Sequence, residues 1–242
     1  MLYYVKNKKF AILMGLCILT MGISGYKLIN TQIEYVKGDE LYKELIDKYY
    51  VLAPTQDSVF VQNLDWENIN KDYPEIIAWL VQEDNNINLP IVQGNDNDYY
   101  LYKVVSGEYT DYGTPFVDYR IENPFKTNVT IVFGHHMENG KQFAPLANYV
   151  YDEDFYEKHK RMKLYTPKQV YDISIIGYGI VDGNDEFIYS PNINNSEHYT
   201  MYLTGKVKEY AKKDDNLVLL STCVNHWSDN RIVVLGKLIP IS

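Results

Sequence analysis

Disulfide chemistry is the first thing this 242-residue sequence lacks. It has two cysteines, and one of them, Cys17, lies in an apolar N-terminal run. The rest of the chain therefore carries a single thiol, Cys223, and cannot cross-link itself. Such a cysteine is either a small core residue or a reactive group. Arginine is nearly as scarce, at 120, 161 and 231 only, and acids outnumber bases 32 to 23 for a net charge of −9. A protein that grips nucleic acid needs a basic face to displace counterions from phosphates, and no such stripe is present, so nucleic-acid binding is excluded. Internal repeats, heptads and low-complexity tracts are missing too, which removes solenoids and coiled coils. Asp96 and Asp98 have no late Glu to complete a calcium loop and read as a polar turn.

What is there is the composition of a folded domain, with 46% hydrophobic and 23% charged residues. The 24 tyrosines favour pleated, half-buried surfaces and hence a β-rich fold. Lys6, Lys8 and Lys9 precede an uncharged stretch from Phe10 to Gly25, extended by Tyr26, Leu28 and Ile29 with Lys27 able to snorkel. That is just long enough to cross a bilayer. The lysines predict a cytoplasmic N-terminus and a single-pass anchor, with the bulk of the chain extracellular. The competing reading is a cleaved signal peptide, with Gly22-Ile-Ser24 a poor site. Either way the thiol of Cys223 lies outside the membrane, and its lack of a partner fits a Gram-positive surface.

The expected division is 1–29 tail and anchor, 30–60 a helical membrane-proximal segment, and 61–242 a catalytic domain. Apolar positions 33, 36, 41, 42, 45 and 46 predict an amphipathic helix over about 31–50. A second helix is expected over 64–81, with Asp72 and Pro74 opening its last turns, which completes an N-terminal helical pair. Strands follow at 87–93, 114–118 and 128–133, then one or two short helices at 141–160. A hairpin over 162–165 and 169–181 turns at Thr166-Pro-Lys168, and 183–195 is a Gly/Asn/Asp/Pro-rich loop. A long helix from Ser196 to about Lys212, with 199, 202, 203, 207 and 210 on one face, leads to strands at 217–222 and 232–239. The class is mainly β with helical insertions, a mostly antiparallel barrel.

Chemistry concentrates at three strand ends. Asn216-Leu-Val-Leu-Leu-Ser-Thr-Cys223 brings a thiol to the end of a buried strand, and Arg231 opens the next one after a seven-residue loop. If the two strands pair antiparallel, thiol and guanidinium lie side by side. A fixed positive fork there favours thiolate and can hold an oxyanion; the alternative is a structural strand end with Arg231 in a surface ion pair. Ile131-Val-Phe-Gly-His-His136 is a third strand that ends in a polar group, with Gly134 allowing a tight turn. Together these suggest an activated nucleophile in which Cys attacks a carbonyl, His protonates the leaving amine and Arg steadies the negative oxygen. His precedes Cys, the reverse of the papain order. A zinc reading from Cys223-x-x-His226 with His135 and His136 has no recognised spacing and would set Arg231 beside a cation. No metal is therefore expected.

Leu220-Ser-Thr-Cys223 with Arg231 resembles the sortase signature, and Phe133-Gly-His-His-Met137 resembles its Gly-His motif. Asn86-Ile-Asn-Leu-Pro-Ile-Val-Gln93, the Asp96–Leu101 turn and the helix at 196–212 resemble class B sortases in particular. The resemblance spans about 60–240. It implies a closed barrel of about eight strands, no cofactor, and Cys223, His135 and Arg231 as catalytic residues. The implied substrate contacts are Asn97, Leu101, Ile188, Tyr189 and Ser221. The implied reaction cuts a C-terminal sorting signal after Thr through a thioester, then passes the surface protein to an amine of a peptidoglycan precursor. A hydrolytic extracellular cysteine peptidase of unrelated fold is the alternative, and a non-enzymatic surface-binding module the third option. The sorting motif and the acceptor amine are not legible.

Overall fold

The computed structural model describes residues 2–54, 60–203, 207–225 and 227–241. Two compact units divide between Leu41 and Tyr42. The first is helical: α1 spans Leu2–Tyr49, so the apolar run and the amphipathic stretch are one helix rather than two. It is long and apolar enough to cross a membrane, and Phe10, Ile12, Leu16 and Leu19 are each more than half exposed.

The second unit is a closed eight-stranded barrel. Helical structure ends at Tyr49, so the expected helical segment over 30–60 gives way to an antiparallel hairpin of β1 (Tyr50–Pro54) and β2 (Phe60–Leu64). Residues 55–59 of that segment lie outside the described residues. Next comes α2 (Trp66–Asp72), whose first turn is capped where the Asp65 carboxylate accepts from the Asn68 amide.

The remaining strands are β3 (Ile76–Gln82), β4 (Ile87–Gln93), β5 (Phe116–Val117), β6 (Val129–Phe133), β7 (Arg161–Tyr165), β8 (Val170–Asp182), β9 (Leu217–Cys223) and β10 (Asn230–Pro240). They close in the order β10-β8-β7-β3-β4-β5-β6-β9. All pairs are antiparallel except β4–β5 and β6–β9. Short helices α3 (Asn148–Tyr151) and α4 (Phe155–Lys158) occupy the expected 141–160 region.

Two expected helices are corrected. The helix over 64–81 stops at Asp72, and its second half is β3. Ile76-Ile-Ala-Trp-Leu-Val81 is apolar throughout, and all but Ile77 are buried. A strand covered on both faces loses its alternation, so it mimics a buried helix in sequence. The helix over 196–212 is only α5 (Ser196–Tyr202). Of its expected apolar face, Tyr199 and Leu203 are buried but Tyr202 and Tyr210 are exposed. The chain beyond it turns back: Val207 bridges Gly177 on β8, and the Ala211 amide donates to the Thr200 hydroxyl on α5. The run also contains Gly205 and is rich in Tyr and Thr, all poor helix formers.

Barrel packing fixes the strands that carry the chemistry. Leu217, Val218, Leu219 and Leu220 on β9 and Ile232 to Leu235 on β10 are at most 1% exposed. Each such side chain contributes about 1.5–3 kcal/mol on burial.

Candidate active site

Along β9 every residue is buried until Cys223, which is half-buried at the strand end. The β9–β10 register pairs Cys223 with Arg231 directly. On the other side of β9 the parallel β6 register runs Val129↔Leu217 to Phe133↔Ser221, and the Gly134 amide still donates to the Ser221 carbonyl. His135 follows directly after Gly134, at the same end of the barrel as Cys223. Imidazole, thiol and guanidinium thus belong to three neighbouring chains at one mouth of the barrel.

The His135 imidazole and the Arg231 guanidinium are held by backbone carbonyls. Nε2 of His135 meets the Leu101 carbonyl at 2.6 Å. A carbonyl only accepts, so Nε2 carries the proton, and in the neutral ring Nδ1 is the basic nitrogen. Gly113, at φ +61°, lies against this ring: a Cβ there would come within 2.9 Å of Cδ2 of His135 and 2.7 Å of the Leu101 carbonyl oxygen. His136 faces a different group, its Nδ1 lying 2.9 Å from the carbonyl of Cys223. Arg231 donates from Nη1 to the carbonyls of Ser228, Asp229 and Asn230 at 3.3, 2.9 and 3.3 Å. Its Nε and Nη2 have no hydrogen-bond partner among the described residues. Gly183 packs under this loop, where a Cβ would approach the Asp229 carbonyl oxygen to 2.3 Å and Cζ of Arg231 to 3.3 Å.

Beside the thiol, the Tyr189 hydroxyl and Oγ of Ser221 are 2.9 Å apart, and the Tyr189 ring stacks on Phe133. Burial pushes the Tyr189 phenol up to about 12, against the pull of the Ser221 hydrogen bond and the Arg231 charge. Leu101 and Asn97 are half-buried, and Oδ1 of Asn97 accepts from the Tyr119 amide. Ser221 is buried at 1% exposure beneath Tyr189. Ile188, also at 1%, packs in the core, and its carbonyl accepts from the Tyr199 hydroxyl. It also lines a cavity on the β8 side with Tyr178, Val181 and Leu203.

Sequence reading missed the ion pair that anchors Tyr189. Arg120 grips the fully buried Asp118 in two places, Nε to Oδ1 at 2.9 Å and Nη2 to Oδ2 at 2.6 Å, and Nη2 also donates to the Tyr189 carbonyl. Burial raises the Asp118 carboxyl, but the hydrogen bonds and charge of Arg120 outweigh it and hold the group below its usual 3.8. The available signal was scarcity, since Arg120 is one of only three arginines. Oγ1 of Thr222 was missed as well; it is buried and unpaired among the described residues. No cluster of three or more His, Cys, Asp or Glu suited to a metal exists among the described residues. His226, the further ligand of the zinc reading, lies outside them.

A closed mixed barrel with thiol, imidazole and guanidinium at one mouth defines a class, the cysteine transpeptidases of the sortase type. The sortase domain model matches residues 83–239. Sortase B of Staphylococcus aureus is 30% identical over 98% of this chain and all of its own length. Sortase B of Listeria monocytogenes is 32% identical, covering 72% of this chain and 73% of the relative. Among solved structures, sortase B from Bacillus anthracis superposes with TM-score 0.69 at 26% identity, over 86% of this chain and 99% of that one. Sortase B from Clostridium perfringens gives 0.65 at 28%, over 72% and 100%. The chain belongs to the sortase family, in its class B, and is a sortase transpeptidase. A cysteine peptidase of unrelated fold is ruled out by the barrel itself.

Proposed function

We propose that Cys223 is the nucleophile, His135 the acid/base and Arg231 the oxyanion partner of this transpeptidase. The thiol proton passes to Nδ1 of His135, and the resulting imidazolium keeps its Nε2–H on the Leu101 carbonyl. The thiolate adds to the carbonyl of the Thr in a sorting signal, and the oxyanion takes the open Nε and Nη2 of Arg231. As the C–N bond breaks, the imidazolium protonates the departing amine and a thioester remains on Cys223. A peptidoglycan-precursor amine then adds to the thioester carbonyl. The C–S bond breaks, and His135 moves the nitrogen's proton to the sulfur. A bound amine outcompetes water because its effective concentration at the carbonyl is high.

One observation carries this reading: Cys223 pairs directly with Arg231 at the end of the β9–β10 ladder, and the parallel neighbour β6 ends at the same mouth two residues before His135. Tyr189, Asn97 and Leu101 would contact the sorting signal, with Ser221 supporting Tyr189 from beneath through their hydroxyl contact and Ile188 fixing the loop behind it. Residues 61–242 act as the catalytic domain. The apolar part of α1 supports a single-pass anchor, with the lysine-bearing end in the cytoplasm and the barrel outside a Gram-positive cell. The test is mass spectrometry of the full chain with a sorting peptide and an added amine. A mass increase on Cys223 and an amine-joined product are expected. Peptide cleavage that ignores the amine would reject transfer.

A further inference from the structure

The last turns of α1, from Tyr42 to Tyr49, belong to the barrel unit, and Tyr42, Leu45 and Tyr49 are their buried side chains. Spacings of three and four put the three on one side of the helix. The Tyr42 hydroxyl does more than pack. It shares its proton between the Gly113 carbonyl at 2.9 Å and Oγ1 of Thr114 at 3.0 Å, 71 and 72 residues away along the chain. Oγ1 of Thr114 gives its own proton to the Lys103 carbonyl at 2.9 Å, and the Thr114 amide donates to the Tyr100 carbonyl at 2.9 Å. Nε2 of Gln142 reaches the same Gly113 carbonyl at 3.3 Å, and the Phe143 amide, next in the chain, donates to the His135 carbonyl. Gly113 is therefore where α1, the one-turn helix that carries Leu101, and the loop after His135 meet.

We propose that Tyr42 is a positioning residue for the acid/base: its hydroxyl fixes the Gly113 peptide, and Gly113 sets how the Leu101 carbonyl and the His135 ring approach each other. This rests on the reading of His135 as the acid/base. Gly113 has no slack on that side, since even one added carbon would lie 2.7 Å from the Leu101 carbonyl oxygen and 2.9 Å from Cδ2 of His135. A shift of its peptide is therefore passed to both partners, because packed interiors transmit displacement. Among the described residues the Gly113 carbonyl accepts from Tyr42 and Gln142. The Tyr42 bond, at 2.9 Å, is within the usual range for a hydroxyl donor, whereas the Gln142 bond, at 3.3 Å, is long for an amide. Tyr42 is thus the stronger tie. Tyr42 and Thr114 are both buried, so water does not stand in for a hydroxyl removed there.

The experiment uses the full chain in detergent micelles with a sorting peptide, and follows acylation of Cys223 by mass. Tyr42→Phe removes the hydroxyl and keeps the ring that packs on Tyr112. Tyr49→Phe is the matched control, because its hydroxyl bond to Asp72 at 2.8 Å lies on the same helix and touches no residue of the site. Each change deletes one hydrogen bond, and both variants should melt slightly below the parent. Tyr42→Phe alone should lower the maximal acylation rate about ten-fold, with the half-saturating peptide concentration unchanged within about two-fold. In a His135→Ala background the same change should leave the residual rate where it is. Thr114→Val removes an acceptor of the Tyr42 proton and the tie to Lys103; it should act in the same direction and less than additively with Tyr42→Phe. An unchanged maximal rate in both Tyr42→Phe and Thr114→Val, an equal loss in Tyr49→Phe, or a loss that persists in the His135→Ala background would overturn the proposal while the acid/base reading stands. Undiminished acylation by His135→Ala itself would reject that reading and the proposal with it.

Discussion

Cys223 and Arg231 face each other across a ladder of seven register pairs, whereas His135 stands two residues beyond the end of β6 and is held by loop atoms. The ladder wall rests on strands whose apolar side chains are sealed in the barrel. The loop wall depends on the Leu101 carbonyl, on a glycine that lets that carbonyl and the ring approach each other, and on a one-turn helix at Tyr99–Leu101. Ladder geometry is redundant, because losing one contact leaves the register intact. Loop geometry is not, so small backbone changes should reach function mainly through the imidazole.

Removing the chemistry itself has the largest effect and breaks both walls at once. Cys223→Ala should form no thioester at all, read as the absence of any mass increase with the sorting peptide. Next comes the choice of imidazole. His135→Ala should lower turnover by about 10²–10⁴, the usual worth of a positioned acid/base. His136→Ala should cost far less, since that ring holds the carbonyl of Cys223 and not its sulfur. A larger loss at His136 would reassign the roles. On the ladder wall, Arg231→Lys keeps the charge but loses the planar fork, and about 10²-fold in turnover is expected with the peptide's KM little changed.

The same contrast explains what could be read in advance. The ladder wall was legible from spacing: two apolar runs around a seven-residue loop dictate antiparallel pairing, and Cys223 opposite Arg231 follows from counting. The loop wall was legible only as a motif, because no local pattern says that Leu101, over thirty residues upstream, lends its carbonyl to His135. Ile188 and Tyr189 are neighbours in sequence with different surroundings: Ile188 is buried beside a cavity on the β8 side, and the Tyr189 hydroxyl meets Ser221, two residues before the thiol. Helices misread at 64–81 and 196–212 share a cause. Apolar residues were counted on a helical period where burial on both faces, or a chain turning back to β8, decided the outcome.

Glycine substitution sharpens the comparison at smaller scale. Gly113→Ala places a Cβ where φ is +61° and where the Leu101 carbonyl and the His135 ring already occupy the space. A stability loss of about 1–3 kcal/mol is expected, with a larger proportional loss of turnover than of peptide binding. Gly179→Ala on β8, where an added Cβ meets nothing within 4 Å, should be close to neutral in both. Comparable damage at the two positions would mean that the loop wall has no special sensitivity.

The smallest effect concerns the pair behind Tyr189, and its sign is fixed by linkage. Asp118 is fully buried and its carboxyl is held below the usual 3.8 by Arg120, so the folded state binds that proton less readily than the unfolded chain. A group depressed in this way contributes stability that is fully present above the unfolded value and is lost as pH falls through the folded one. Asp118→Asn removes the charge and leaves Arg120 with a neutral partner, so the variant should melt below the parent at neutral pH. As pH drops below about 4 the parent loses the same ionic contribution, and the two melting curves should converge. Melting temperatures measured from neutral pH down to about 2.5 decide the matter. A constant gap would show that the carboxylate acts by shape alone, and that Tyr189 is held by the Arg120 hydrogen bond to its carbonyl without help from the buried charge.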